Sequence, residues 1–246
     1  MKNKTVIITG SASGIGKASA ELYAQLGANI IISDIQEVEG KAIAAAITSK
    51  GGKASFFKTD VSKPEDMQAL VAFAVKTYGK LDIAVNNAGI GGELNPIVDM
   101  SIEGWQKVIS INLSSLFYGM KYQIEAMLKN GGGSIVNISS ILGAVGFAGS
   151  SGYSAAKQGV IGLTQTAALE YAAQNIRINA VGPGFIDTPL LKALDDEMKQ
   201  QIVSLHPIGR LGKSEEIAEM ILWLSSDKAS FVNGSYHPID GGYLAK

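Results

Sequence analysis

Short runs of β-branched and aliphatic residues alternate with longer stretches whose apolar positions recur every three or four residues, along the whole chain. The runs predict strands beginning near Thr5, Ala28, Ala54, Asp82, Ser134, Arg177 and Ser235. The periodic stretches between them predict helices over about 14–26, 36–50, 64–78, 101–129, 152–174 and 214–225. A strand such as Thr5-Val6-Ile7-Ile8-Thr9 has no polar face, as expected where helices cover a parallel sheet on both sides. The helix at Pro64 starts in the usual way, with proline in the first turn followed by Glu65 and Asp66. No repeat, low-complexity tract or linker interrupts the pattern, so residues 1–246 are expected to form a single α/β domain with a doubly wound, seven-stranded parallel sheet.

Composition narrows the class. A chain of 246 residues with 46% hydrophobic residues can bury a substantial core. A net charge of −1 gives no global attraction to nucleic acid or to an anionic membrane, and neither is expected as a partner. No stretch approaches the roughly 18 apolar residues that span a bilayer. The first predicted strand starts almost at once, so Met1-Lys2-Asn3-Lys4 does not read as a signal peptide, and a cytoplasmic location is expected. The absence of cysteine removes disulfides and thiolate metal sites, and two histidines, His206 and His237, make no persuasive metal centre; no metal is expected.

Two segments carry candidate chemistry. In Tyr153-Ser154-Ala155-Ala156-Lys157 a phenol and an ammonium lie four residues apart, on one face of a predicted helix. Such a pair also arises on any exposed amphipathic helix. A free phenol has a pKa of about 10, and a fixed cation beside it favours the phenolate, which would make it a usable acid and base near neutrality. The other segment is Gly10-Ser11-Ala12-Ser13-Gly14-Ile15-Gly16, which links the first strand to the first helix with the spacing G-x-x-x-G-x-G. Gly10 permits a tight turn, Gly14 lets main chain approach a pyrophosphate and Gly16 allows close helix–strand packing, while the helix N-terminus offers free N–H groups. The next strand ends at Asp34, where a carboxylate can hold the hydroxyls of an adenosine ribose.

Together with Asp60-Val61, Asn86-Asn87-Ala88-Gly89, Asn112, Ser140 and Pro183-Gly184 followed by Thr188, these motifs stand in the order found in short-chain dehydrogenases/reductases, and the chain resembles that family over essentially its full length. The resemblance implies a Rossmann fold and a catalytic set of Asn112, Ser140, Tyr153 and Lys157. In it Tyr153 exchanges a proton with the substrate oxygen, Ser140 hydrogen-bonds that oxygen, Lys157 lowers the pKa of Tyr153 and holds the nicotinamide ribose, and Asn112 breaks a helix and holds a relay water. It also implies a cofactor site made by Gly10, Ser13, Gly14, Ile15, Gly16, Asp34, Ile35, Asp60, Val61, Asn87, Ala88, Gly89, Tyr153, Lys157, Pro183, Gly184, Ile186 and Thr188. Asn86 would support the sheet and reach the ribose region. Asp60 would meet the adenine through its carboxylate, or cap the loop that follows it, or do both. Ser139 competes with Ser140, but Ser140 has the family's usual 13-residue separation from Tyr153.

Asp34 would repel a 2′-phosphate, and Ser13 and Ile35 stand where relatives that use the phosphorylated cofactor usually place a cation, so NAD is the expected cofactor. Lys17 lies beyond Gly16, less well placed for that phosphate. The stretch from about 188 to 211 resembles a substrate lid. Leu142, Val145, Phe147, Leu190, Leu191 and Leu194 suggest an apolar pocket without an Arg or Lys clamp, favouring a neutral ketone or secondary alcohol. A 3-oxoacyl-carrier-protein reductase is the nearest alternative. A non-catalytic dinucleotide-binding regulatory protein would be expected to have lost the four catalytic positions, which are intact here. The apolar and small residues in 101–129 and 152–174 exceed what one sheet-facing stripe needs, and the resemblance implies that these helices form one interface and the final strand with its tail, 235–246, a second, giving a homotetramer with two isologous interfaces.

Overall fold

The computed structural model describes residues 1–191 and 195–245. Seven parallel strands form one sheet in the order β3-β2-β1-β4-β5-β6-β7. They are β1 (Thr5–Thr9), β2 (Asn29–Asp34), β3 (Lys53–Lys58), β4 (Ile83–Asn86), β5 (Gly133–Ile138), β6 (Ile176–Pro183) and β7 (Tyr236–Ile239). Among the described residues eight α-helices accompany them: α1 (Gly14–Gln25), α2 (Glu37–Ser49), α3 (Pro64–Tyr78), α4 (Ile102–Ile109), α5 (Ser115–Lys129), α6 (Ser151–Tyr171), α7 (Asp196–Ser204) and α8 (Ser214–Ser225). Among the described residues no helix is long and apolar enough to cross a membrane.

Alternate side chains of each central strand enter opposite layers. Val6, Ile8, Ile30, Ile32, Val85 and Val136 pack under α1, α2 and α8 through Tyr23, Ile47 and Ile221. Ile7, Ile31, Ala84, Ile135 and Ile178 pack under α3, α5 and α6 through Leu70, Met127 and Ala168. Burial on both faces is why the strands read as unbroken apolar runs.

The predicted helix over 101–129 divides at a π-helical turn, Ser110–Ser114, with Asn112 fully buried inside it. Both amide atoms of Asn112 are engaged by the main chain of Ile90: Oδ1 accepts from Ile90 N at 2.8 Å and Nδ2 donates to Ile90 O at 2.7 Å. A buried amide network ties β4 and β5 to the helices beneath. Asn86 donates to Gln123 at 3.1 Å and to Asn137 at 2.9 Å, and Asn137 donates to Thr164 at 2.9 Å. Helix α7 was not apparent in the sequence pattern. Its segment is fastened at its base, where Ile186 and Gly212 form a parallel bridge and Asp187 N donates to Gly212 O at 2.9 Å.

Candidate active site

The chain runs β1-β2-β3 outward on one side and then returns to place β4 against β1. Crossovers therefore leave in opposite directions from β1 and β4, and the carboxyl ends of these strands part to leave a crevice. A cavity of about 780 Å³ occupies it. Along its first half lie Gly10, Ser13, Gly14, Ile15, Asp34, Ile35, Asp60, Val61, Asn87, Ala88 and Gly89, and toward the other end lie Ser140, Tyr153, Lys157, Pro183, Gly184, Ile186 and Thr188. The crevice thus brings together every expected site residue except Gly16 and Asn112, which do not line it.

The first half is shaped for an extended anionic ligand. Gly10 has φ +64, and a Cβ there would come within 2.8 Å of the Ala88 Cα. Gly14 has φ +53, and Gly16 lies so close beneath Gly10 O that any Cβ would collide with it. Gly16 therefore acts through packing. Ser13 precedes α1 without capping it, and the first turn of α1 has no acidic residue, leaving its N–H groups open to a phosphate. Asp34 is only 9% exposed; Oδ2 accepts from Ala12 N at 2.9 Å and Oδ1 from Gln36 N at 3.0 Å. These features fit a dinucleotide. Asp60 Oδ1 accepts from Ser62 Oγ at 2.6 Å and Ser62 N at 3.1 Å, so its carboxylate caps the following turn while lining the cavity. Asn87, not Asn86, faces the ligand side; the amide of Asn86 is consumed inside the sheet.

The second half holds the candidate reactive groups. Tyr153 and Lys157 lie one turn apart on α6, with Lys157 Nζ 5.5 Å from the Tyr153 ring centroid. Nζ donates to Ile138 O at 2.8 Å, and burial pushes the ammonium down to about 8. Burial raises the Tyr153 phenol above its ordinary value, and a hydrogen bond with the Ser140 side chain offsets part of that rise. The expected lowering by Lys157 is therefore not seen in this state, because desolvation dominates and the ammonium is turned to Ile138. Gly89 supplies clearance: a Cβ there would lie 3.1 Å from Asn112 Oδ1 and 3.7 Å from Lys157 Nζ. Ser139 Oγ donates to Lys157 O at 2.8 Å, fastening β5 to α6.

Two features escaped the sequence. Tyr236, on the edge strand β7, donates its hydroxyl to Ser140 O at 2.8 Å. Its ring passes over Gly182 of β6, where any side chain would collide with it. A glycine inside a strand is the one sequence signal for such a close approach. Helix α7 also contributes Met198, Gln201 and Ile202 to the cavity wall. Of the expected apolar residues, Leu142, Phe147 and Leu191 line the cavity and Val145 does not. Leu194 lies outside the described residues, as does part of the expected lid. His206, 4% exposed, accepts from Phe185 N through Nε2 at 3.2 Å and donates from Nδ1 to Ile202 O at 2.9 Å, joining α7 to the end of β6.

A family model described as enoyl-(acyl carrier protein) reductase matches residues 10–244. A cyclohexanol dehydrogenase of Acinetobacter sp. (strain SE19) is 50% identical over 244 residues, covering 99% of this chain and 96% of that protein. A 3-oxoacyl-(acyl-carrier-protein) reductase of Thermotoga maritima is 41% identical over 244 residues, with 99% of each chain covered. The crystal structure of levodione reductase superposes with a TM-score of 0.96 at 37% identity, covering 100% of this chain and 99% of that one. The phosphate-ready turn, the carboxylate at Asp34 and the Tyr153–Lys157 pair on α6 thus stand in a chain that belongs to the short-chain dehydrogenase/reductase family, nicotinamide-dinucleotide-dependent oxidoreductases that interconvert secondary alcohols and ketones.

Proposed function

We propose that this protein is an NAD(H)-dependent dehydrogenase of neutral cyclic secondary alcohols, working reversibly with the ring ketones. The observation that carries this is the character of the cavity wall: among the described residues its charged members are Asp34, Asp60 and Lys157, all in the cofactor and proton-transfer regions. Among the described residues the substrate end is walled by Leu94, Leu142, Phe147, Leu191, Met198 and Leu205, which suit a compact hydrocarbon ring and offer no cation to an anionic one. The similarity to a cyclohexanol dehydrogenase and to a cis-4-hydroxycyclohexanecarboxylate dehydrogenase supports a ring substrate.

The cofactor held along Gly10, Gly14, Asp34, Asn87 and Gly89 would, when bound, supply the hydride acceptor or donor. Ser140 orients the substrate oxygen by hydrogen bonding, and Tyr153 takes or returns the oxygen's proton. Lys157 favours the phenolate once the occupied site draws the ammonium toward Tyr153 and the ribose. Asn112, with its amide taken by Ile90, acts from the main chain of the π turn, where a water can bridge toward Lys157. Asp34 and Ile35 select NAD; Lys17 pairs instead with Glu21 at 4.0 Å. The segment around α7 serves as a lid hinged at the Ile186–Gly212 bridge.

Kinetics of the purified protein with NAD and cyclohexanol or linear secondary alcohols, and with NADH and cyclohexanone or a carrier-bound 3-oxoacyl substrate, test the reading. Cyclohexanol is expected to lead; preference for the carrier-bound substrate would favour a 3-oxoacyl reductase instead. We also propose a homotetramer, because α5 and α6 leave Phe117 and Leu169 54% and 85% exposed and Phe231, before β7, is fully exposed. Light scattering giving a mass near one 25.7 kDa chain for active enzyme would remove that assembly.

A further inference from the structure

Ser150 stands immediately before α6, one turn ahead of Tyr153, and is only 4% exposed. Serine in this position ordinarily accepts a hydrogen bond from the first turn of its helix. Ser101 does so for α4, accepting from Gly104 N at 2.9 Å. Ser150 does not: its φ of −118 and ψ of 39 leave the side chain without a capping bond, and its hydroxyl has no hydrogen-bond partner among the described residues. Ser150 lines the cavity together with Leu142, Phe147 and Tyr153. Its backbone is fixed, with Ser150 N donating to Phe147 O at 3.1 Å and Ser154 N donating to Ser150 O at 2.9 Å. Of the other serines at this end, Ser139 is committed to Lys157 O, and Ser140, which accepts from Leu142 N, keeps its own proton for the first substrate oxygen.

Although Ser150 is buried as a residue, its Oγ is not among the sealed side-chain atoms that lack a partner, so the hydroxyl keeps an accessible face, and a ligand oxygen that bonds it adds one net hydrogen bond on binding. We propose that Ser150 is a second substrate anchor, binding a second neutral oxygen, hydroxyl or ketone, carried by the ring whose first oxygen meets Ser140 and Tyr153. This rests on the ring-alcohol reading above and adds to it the class of ring. A serine hydroxyl both donates and accepts, so it takes either oxygen function. The positive end of α6, a helix of 21 residues, favours an acceptor there. Leu142 and Phe147 beside it are apolar, and among the described residues no cation lines this part of the cavity to neutralise a carboxylate.

The test uses the full-length enzyme with saturating NAD and compares kcat/KM for cyclohexanol, the 1,2-, 1,3- and 1,4-cyclohexanediols, and 4-hydroxycyclohexanecarboxylate. One diol regioisomer is expected to exceed cyclohexanol by about tenfold, beyond the factor of about two from having two reactive hydroxyls, corresponding to one good hydrogen bond. Ser150→Ala should bring that ratio close to the statistical value, and Ser150→Thr should keep most of it. The ratio is internal to each variant, so a reduced folded fraction cancels. Cyclohexanol oxidation with no favoured diol, or a Ser150→Ala enzyme that keeps the wild-type ratio, overturns the anchor alone. Preference for the carboxylate over every diol overturns its neutral class. Failure of cyclohexanol and all diols overturns the ring-alcohol reading and the anchor with it.

Discussion

Replacing Asp34 tests the cofactor preference, and the geometry sets the size of the effect. Its carboxylate is pinned by Ala12 N at 2.9 Å and Gln36 N at 3.0 Å, so it cannot swing away from an incoming phosphate. A 2′-phosphate bears about −1.5 to −2 charges at neutral pH. At about 5 Å and an effective dielectric of about 20, the repulsion is about 5–6 kcal/mol before screening. Salt at about 0.15 M, with a Debye length of about 8 Å, roughly halves this, leaving about 3 kcal/mol, or about two orders of magnitude in kcat/KM. The assay measures kcat/KM for NAD and NADP at saturating cyclohexanol, at two salt concentrations. Wild type should favour NAD by about a hundredfold, less at high salt. Asp34→Ala alone should weaken NAD use, because the carboxylate also orders the glycine turn through Ala12. Asp34→Ala with Ile35→Arg should bring the two cofactors close to parity or invert them, because position 35 is 60% exposed and a guanidinium there can reach the phosphate. Equal use of both cofactors by wild type, or an undiminished NAD preference in the double variant, would refute the reasoning.

Tyr236→Phe should lower kcat by about five- to thirtyfold with little change in KM for the cofactor, because the lost bond holds Ser140 and nothing in the first half of the cavity. In a Ser140→Ala background the same change should add almost nothing; a full additional loss there would contradict the coupling. Lys157 carries a pH signature: its folded pKa of about 8 lies below its ordinary 10.5, so the unfolded chain binds the proton more tightly. Stability of the cofactor-free protein should therefore rise as pH climbs from about 8 toward 10, by an amount of order 3 kcal/mol at most. Thermal scans against Lys157→Met check this, and a variant with the same pH slope as wild type would count against it.

The fold was legible because its strands are buried on both faces: unbroken runs such as Asn29–Asp34 leave little doubt about a parallel sheet. Boundaries moved by a residue or two, as hydrogen-bonding ends do. The long helix over 101–129 read as continuous because apolar periodicity does not register the change from i→i+4 to i→i+5 bonding at Ser110–Ser114; only the resemblance pointed to Asn112. Local spacing also carried the glycine turn, Asp34 and the Tyr153–Lys157 pair. What could not be read were contacts made across the sheet. Tyr236 reaches Ser140 from 96 residues away, and only the bare backbone of Gly182 lets it pass. The uncommitted hydroxyl of Ser150 is likewise invisible in sequence, where a serine before a helix reads as an ordinary cap.

The central claim is that Tyr153 passes a proton between solvent and a ring alcohol. Cofactor reduction with cyclohexanol by wild type and Tyr153→Phe, with cofactor binding measured in parallel, tests it most directly. The expected result is turnover by wild type and a loss of about a hundredfold or more in the variant at unchanged cofactor affinity, as for removal of a general acid–base group. A variant that binds cofactor normally and keeps more than about a tenth of wild-type turnover would contradict it.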